Sequence, residues 1–180
     1  MSGTLPELAD ESAHWRVLVA GVGNIFLSDD GFGSEVARRL TRRTLPGWVH
    51  VVDYGIRGIH LAHDLMDGYA ALLLIDTVPQ RGHPGRLTVL QIERGDLVGG
   101  VGVDAHAMDP ALMLGTLESL GGVLPRTLLL GCEPLSLAEG MELSPEVAAA
   151  VDDAVDVVVG LLSDELAPPE ALTARSVKRA

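Results

Sequence analysis

The chain has 180 residues and a formal charge of −12, with 47% hydrophobic residues but only 3% aromatic, so leucine, valine and alanine must fill its core. Such a length suits one domain that buries its own core, and the acidic balance excludes a phosphate-binding face for nucleic acid or an anionic membrane. A single cysteine, Cys132, excludes an internal disulfide or a cysteine-built metal cluster. The first strand is predicted over Arg16–Ala20, then GVGNIFLSDDGFG leads into a helix over Gly33–Arg43 with Val36 and Leu40 inward. Val49–Tyr54 reads as the second strand and Gly58–Met66 as a short helix. The third strand is Ala71–Val78 and the fourth Arg86–Ile92. Residues 93–108, glycine-rich and holding His106, read as a long irregular loop. Asp109-Pro110 opens a helix whose Met113, Leu117 and Leu120 share a face. Thr127–Cys132 is the fifth strand. Ser144-Pro145 opens the last helix, with Val147, Val151, Ala154, Val158 and Leu161 at helical spacing.

Most of these strands are continuous apolar runs, the mark of strands covered on both faces. The alternation implies a three-layer α/β/α sandwich around a five-stranded, mostly parallel mixed sheet. Only about seven residues separate the third and fourth strands, too few for a parallel crossover, so the fourth is expected to run antiparallel. Residues 1–14 are expected to be an N-terminal extension, 15–166 a single domain and 167–180 a flexible tail. The start lacks the basic and apolar regions of a signal peptide, and no run reaches the roughly 18 apolar residues of a spanning helix. A cytoplasmic location is expected.

Open α/β sheets bind ligands beyond the carboxyl ends of their strands, and here those ends are acidic. Asp29 and Asp30 follow the first strand, Asp53 ends the second, Asp76 the third and Glu133 the fifth. Carboxylates gathered at one rim repel each other and resist desolvation unless a cation, a proton or a basic partner compensates. Each acid taken singly also fits a helix cap or a solvated loop. His106 is the one histidine in the long loop, and an imidazole with two carboxylates suits a divalent first-row ion while leaving positions open for substrate. His60 and His63 read as surface or packing residues, and His14, His50 and His83 as solvated. Cys132, ending an apolar strand, reads as a core residue. A nucleotide is disfavoured, because Gly21-Val22-Gly23-Asn24-Ile25-Phe26 lacks the third glycine of the dinucleotide fingerprint and the two aspartates would repel a pyrophosphate.

Together GVGNIFLSDDGFG, VVDYG, LLLIDTV, DAHAMDPALML, GCEP and GMELSP resemble, in order and spacing, the hydrogenase maturation proteases. These endopeptidases trim the C-terminal extension from [NiFe]-hydrogenase large subunits. The resemblance covers about residues 16–165 and implies the same mixed five-stranded sheet. It aligns Asp30, Asp76 and His106 with the family's metal-contacting positions. Asp53 and Glu133 occupy other motif positions, and Gly23 and Asn24 are expected to shape the turn that presents Asp30. The resemblance further implies that nickel already inserted in the precursor is the recognition element, supplied by the substrate, with another divalent metal binding only adventitiously. Metal-assisted hydrolysis would fit, with Asp53 as a candidate catalytic base. The expected partner is the large-subunit precursor, met by a monomer. A non-proteolytic nickel-sensing or chaperone module with the same metal triad, and a nucleotide-binding α/β protein, stand as alternatives.

Overall fold

Strand β1 (Val17–Val22) is buried along its whole length, as its unbroken apolar run demands. The structure, a computed structural model, describes residues 15–99 and 110–172. Following β1 are a 3-10 turn (Ser28–Gly31), α1 (Phe32–Leu40), β2 (Val49–Gly55), α2 (Gly58–Leu65), β3 (Ala71–Thr77), β4 (Leu87–Ile92), α3 (Arg94–Gly99), α4 (Pro110–Ser119), β5 (Arg126–Cys132) and α5 (Pro145–Asp164). The sheet order is β2-β1-β3-β5-β4. β4 runs antiparallel to β5 and every other pairing is parallel. The short β3–β4 connection therefore does what its length requires.

Alternation along the strands divides the core in two. Val17, Val19, Leu73, Ile75, Leu130 and Cys132 pack against Phe32, Val36 and Leu40 of α1 and Val147, Val151 and Val158 of α5. Leu18, Ala20, Leu72, Leu74 and Leu129 pack instead against Leu61 and Leu65 of α2 and Met113, Leu114 and Leu117 of α4. The first turn of α1 lies directly on the strand ends. A Cβ on Gly33 would fall 2.2 Å from the carbonyl oxygens of both Val22 and Ile75, so only glycine permits this approach.

Several sequence expectations need correction. The 93–108 stretch is not wholly irregular, because α3 forms at Arg94, opened by the Asp96 carboxylate accepting from the Glu93 N–H at 2.8 Å. Glycines at 95 and 99 and the lack of an apolar period hid that helix. Helix α1 ends at Leu40, three residues early, where Thr41 returns its hydroxyl to the Arg38 carbonyl. Leu120 lies past the last turn of α4 and is exposed, and Leu114 fills that face instead. In α5 Leu161 packs half-buried against the core as spaced, and its neighbour Leu162 is the more deeply buried of the two. His50 is half-buried rather than solvated, its ring edge-on to Tyr69 at 5.6 Å. The predicted start of α5 holds, since Ser144 Oγ accepts from the Val147 N–H and Pro145 follows. At the end of the domain Leu166 and Ala167 are buried, and the Trp15 indole donates to the Leu166 carbonyl at 3.0 Å.

Candidate active site

The acids expected at the carboxyl rim are all near strand ends, but their side chains do different work. Ser28 enters the left-handed region (φ 48°), an uncommon state for a residue with a side chain. The 3-10 turn that follows drives both Asp29 and Asp30 inward, where they are 0% and 1% exposed. Asp29 is a structural hub. One of its oxygens accepts from the N–H groups of Leu135 (2.8 Å) and Ser136 (3.0 Å) and from the Ser144 hydroxyl (2.9 Å). The other accepts from the Ser144 N–H at 2.6 Å. Asp29 thereby ties the β1–α1 loop to the β5–α5 loop and to the N-cap of α5.

Asp30 turns toward the central strands. Its Oδ2 accepts from the Asn24 N–H at 2.7 Å and its Oδ1 from the Thr77 hydroxyl at 3.1 Å. Gly23 makes this possible, because its φ of 133° is open to glycine and a Cβ there would lie 1.8 Å from the Asp30 carbonyl oxygen. Asp76, at the end of β3 and 2% exposed, accepts the Thr77 N–H on Oδ1 at 2.7 Å. One threonine thus bonds two buried carboxylates, the first through its hydroxyl and the second through its backbone. Thr77 falls inside the LLLIDTV motif, but its residue type alone reads as one more strand residue.

Asp53 does not share the side of the sheet to which Asp76 points. In register, Asp53 pairs with Gly21 and Gly21 with Ile75, so Asp53 shares the α1 face with Ile75 while Asp76, one residue on, points to the α2 face. The Asp53 carboxylate is exposed, and its Oδ1 accepts from the Ser34 hydroxyl (2.7 Å) and the Gly55 N–H (3.0 Å). Together with Ile25, Gly31, Ser34 and Met141 it lines a groove of about 460 Å³.

Glu133 is buried and clamps the β3–β4 connection, its Oε1 accepting the N–H groups of Arg81 and of His83 (2.7 Å). The bond from the His83 amide, helped by that from Arg81, outweighs burial and holds the Glu133 carboxyl below its usual 4.5. A carboxyl whose folded pKa is depressed contributes its stability above pH 4.5 and loses it as the pH falls through the folded value. The Arg81 and His83 amide resonances are therefore expected to titrate with a midpoint below 4.5, and Glu133→Gln to abolish that titration.

His106 lies outside the described residues. Among the described residues no group of three or more His, Cys, Asp or Glu side chains is arranged to hold a metal ion. His60 and His63 are exposed on α2, as expected for surface residues.

The HycI family model for hydrogenase maturation proteases matches residues 34–161. The chain belongs to that family. This protease is 29% identical to the hydrogenase 2 maturation protease of Escherichia coli K12 over 161 residues, 87% of this chain and 98% of that one. It superposes on the E. coli maturating endopeptidase HybD with a TM-score of 0.70 at 30% identity, covering 82% of this chain and 91% of that one. With the hydrogenase 2 maturation peptidase of a Thaumarchaeota archaeon the identity is 40% and the TM-score 0.63, over 82% and 97% of the two chains. The protein is accordingly a hydrolase, an endopeptidase of the hydrogenase maturation type. The non-proteolytic and nucleotide-binding alternatives are set aside.

The protease does not offer Cys132 as a nucleophile. Its thiol is fully buried among the residues beneath α1 and α5, and burial, with Asp29 and Glu133 adding to it, pushes its pKa up to about 12. Cys132→Ala is expected to retain turnover within about threefold while costing roughly 1 kcal/mol of stability for the lost packing. In the folded wild type the thiol should resist alkylation at pH 8, which a mass spectrum after iodoacetamide treatment would read.

Proposed function

We propose that this protease removes the C-terminal extension of a nickel-loaded [NiFe]-hydrogenase large-subunit precursor, and that the precursor's nickel is what it recognises. Asp30, Asp76 and His106 are the side chains that meet the metal. The observation that carries the reading is the pair of buried carboxylates, Asp30 and Asp76, bonded to the same Thr77 at the end of the central strands. Charge held out of water in this way favours a cation over a neutral peptide, and the relatives are named for hydrogenase maturation.

The course of α4 supports adding His106 to the pair. A Cβ on Gly122, between α4 and β5, would meet Leu117 at 2.4 Å and Met66 Sδ at 2.6 Å, so α4 and α2 both end at the amino edge of the sheet. Helix α4 therefore begins, at Pro110, on the carboxyl edge, where Asp76 ends β3. His106 precedes Pro110 by four residues, a span of at most about 14 Å.

In the hydrolysis, the client's nickel would polarise the carbonyl at the cleavage site, a rim carboxylate would take a proton from the attacking water, and that proton would pass to the departing amine as the C–N bond breaks. Asp53 is the candidate for that base, with Ser34 and Gly55 fixing one oxygen and the adjoining groove admitting water. In that role Asp53→Asn lowers kcat by about 10²–10⁴ and leaves precursor binding unchanged. An Asp53→Asn protein that cuts at the wild-type rate removes Asp53 from the mechanism. The overall reading is tested by incubating the purified protease with nickel-loaded precursor. Mass loss confined to the precursor's C-terminus is expected, and an intact precursor would overturn the proposal.

A further inference from the structure

Exposed apolar side chains concentrate at the carboxyl rim. Phe26 and Met141 are 60% and 71% exposed, Ile56 and Ile59 58% and 55%, and Ile25 and Leu135 45% and 48%. All six stand on the connections that follow β1, β2 and β5, or on the first turn of α2. In the strand order these connections flank the end of β3, and hence Asp76, on both sides. They also hold one another in place. The Gly23 N–H donates to the Gly55 carbonyl, the Gly140 N–H to the Phe26 carbonyl and the Leu135 N–H to the Asp29 carboxylate. Large apolar groups fixed in water around a site mark a surface that another protein covers.

Two occupants from the molecule itself fit poorly. Both ends of the described domain leave from the opposite edge of the sheet, because Trp15 precedes β1 and is bonded to Leu166 just beyond α5. A second copy would bring together two chains of charge −12 each, a repulsion that opposes self-association. A client that presents its cleavage site to Asp30 and Asp76 has to meet these six residues.

We propose that this apolar collar docks a neutral, apolar face of the folded precursor beside its nickel site, so that affinity comes from the collar and selection for the loaded client from the carboxylates. This rests on the cleavage reading above for the identity of the client. Apolar docking carries little salt dependence, whereas charge-steered docking is screened within about 8–10 Å.

The test uses the triple variant Phe26→Ser/Ile56→Ser/Met141→Ser, all at exposed positions, and the control Leu120→Ser/Val123→Ser, exposed at the other end of the fold. With nickel-loaded precursor the triple variant is expected to raise KM at least about tenfold, a loss of roughly 1.4 kcal/mol, with kcat near wild type and the control unchanged. Raising the salt concentration tenfold should move the wild-type KM by less than about threefold. An unchanged KM in the triple variant, or a steep salt dependence, overturns the proposal. So does a wild-type dimer in sedimentation that the triple variant converts to monomer, since the collar would then be covered by a second copy. Direct binding of uncut precursor, measured in the slow-cutting Asp53→Asn background, separates the two readings. If the wild type fails to cut but the collar substitutions still weaken binding about tenfold, docking stands and the cleavage reading falls.

Discussion

Asp76→Asn is expected to abolish processing of the nickel-loaded precursor, by at least a hundredfold, while the protein stays folded. The amide oxygen of asparagine still accepts the Thr77 N–H, so the local bond made at 2.7 Å survives. What disappears is the negative charge of a side chain that is 2% exposed. If that charge contributes about 3 kcal/mol to holding the client's metal, its loss costs over a hundredfold in affinity. Asp30→Asn and His106→Ala are expected to do the same. Asp30→Asn carries a somewhat larger stability cost, because its carboxylate accepts from Asn24 and Thr77 on different oxygens and an amide can accept on only one. Melting temperature and cleavage rate measured together separate the two effects. A variant that melts near wild type and still cuts at full rate would remove that residue from the site.

Asp29→Ala is expected to give the opposite pattern, a loss of stability rather than of a metal contact. Its carboxylate takes four hydrogen bonds, from the amides of Leu135, Ser136 and Ser144 and the Ser144 hydroxyl. Deleting it leaves these donors without their acceptor in a site where Asp29 is 0% exposed, and each stranded buried group costs about 1–3 kcal/mol. Relaxation and entering water recover part of that, so a net cost of about 4 kcal/mol is expected. For a chain of this size that lowers the melting temperature by about 8–16 °C. Asp29→Asn should cost less than half as much. Activity lost by Asp29→Ala should return on cooling, as it would not for Asp76→Asn. A wild-type melting temperature in Asp29→Ala would show that the β1–α1 and β5–α5 loops are held by something else.

Adjacent in sequence, Asp29 and Asp30 look alike there, and the contrast between them shows what sequence could carry. The strands were legible because their apolar runs are continuous, and the antiparallel β4 because its connection is too short for any other course. The carboxyl-rim position of the acids was legible for the same reason, since each follows or ends a strand. Their division of labour was not. Asp29 is satisfied by residues 106, 107 and 115 positions away, and Glu133 by amides 50 and 52 positions away, which no local pattern announces. What reads as a crowd of repelling carboxylates is partly a set of acceptors with assigned donors. Asp53 and Asp76 both end strands, yet the register that pairs Asp53 with Gly21 sends them to opposite faces. Such a separation depends on which residues pair across the sheet, and composition is silent on that.

Exposed positions tell a similar story. Phe26 and Met141 lie in loops where an apolar side chain carries no periodic signal. They gain meaning only once the Gly140–Phe26 bond brings two connections, more than a hundred residues apart in sequence, to one rim.

Nickel recognition is tested most directly by offering the wild-type protease one large-subunit precursor in two forms, with nickel inserted and with nickel withheld, and weighing the products. It predicts loss of the C-terminal extension from the loaded form alone, at a rate that falls by at least about a hundredfold when nickel is absent. Equal cleavage of both forms would contradict it, because Asp30 and Asp76 would then have no metal to recognise.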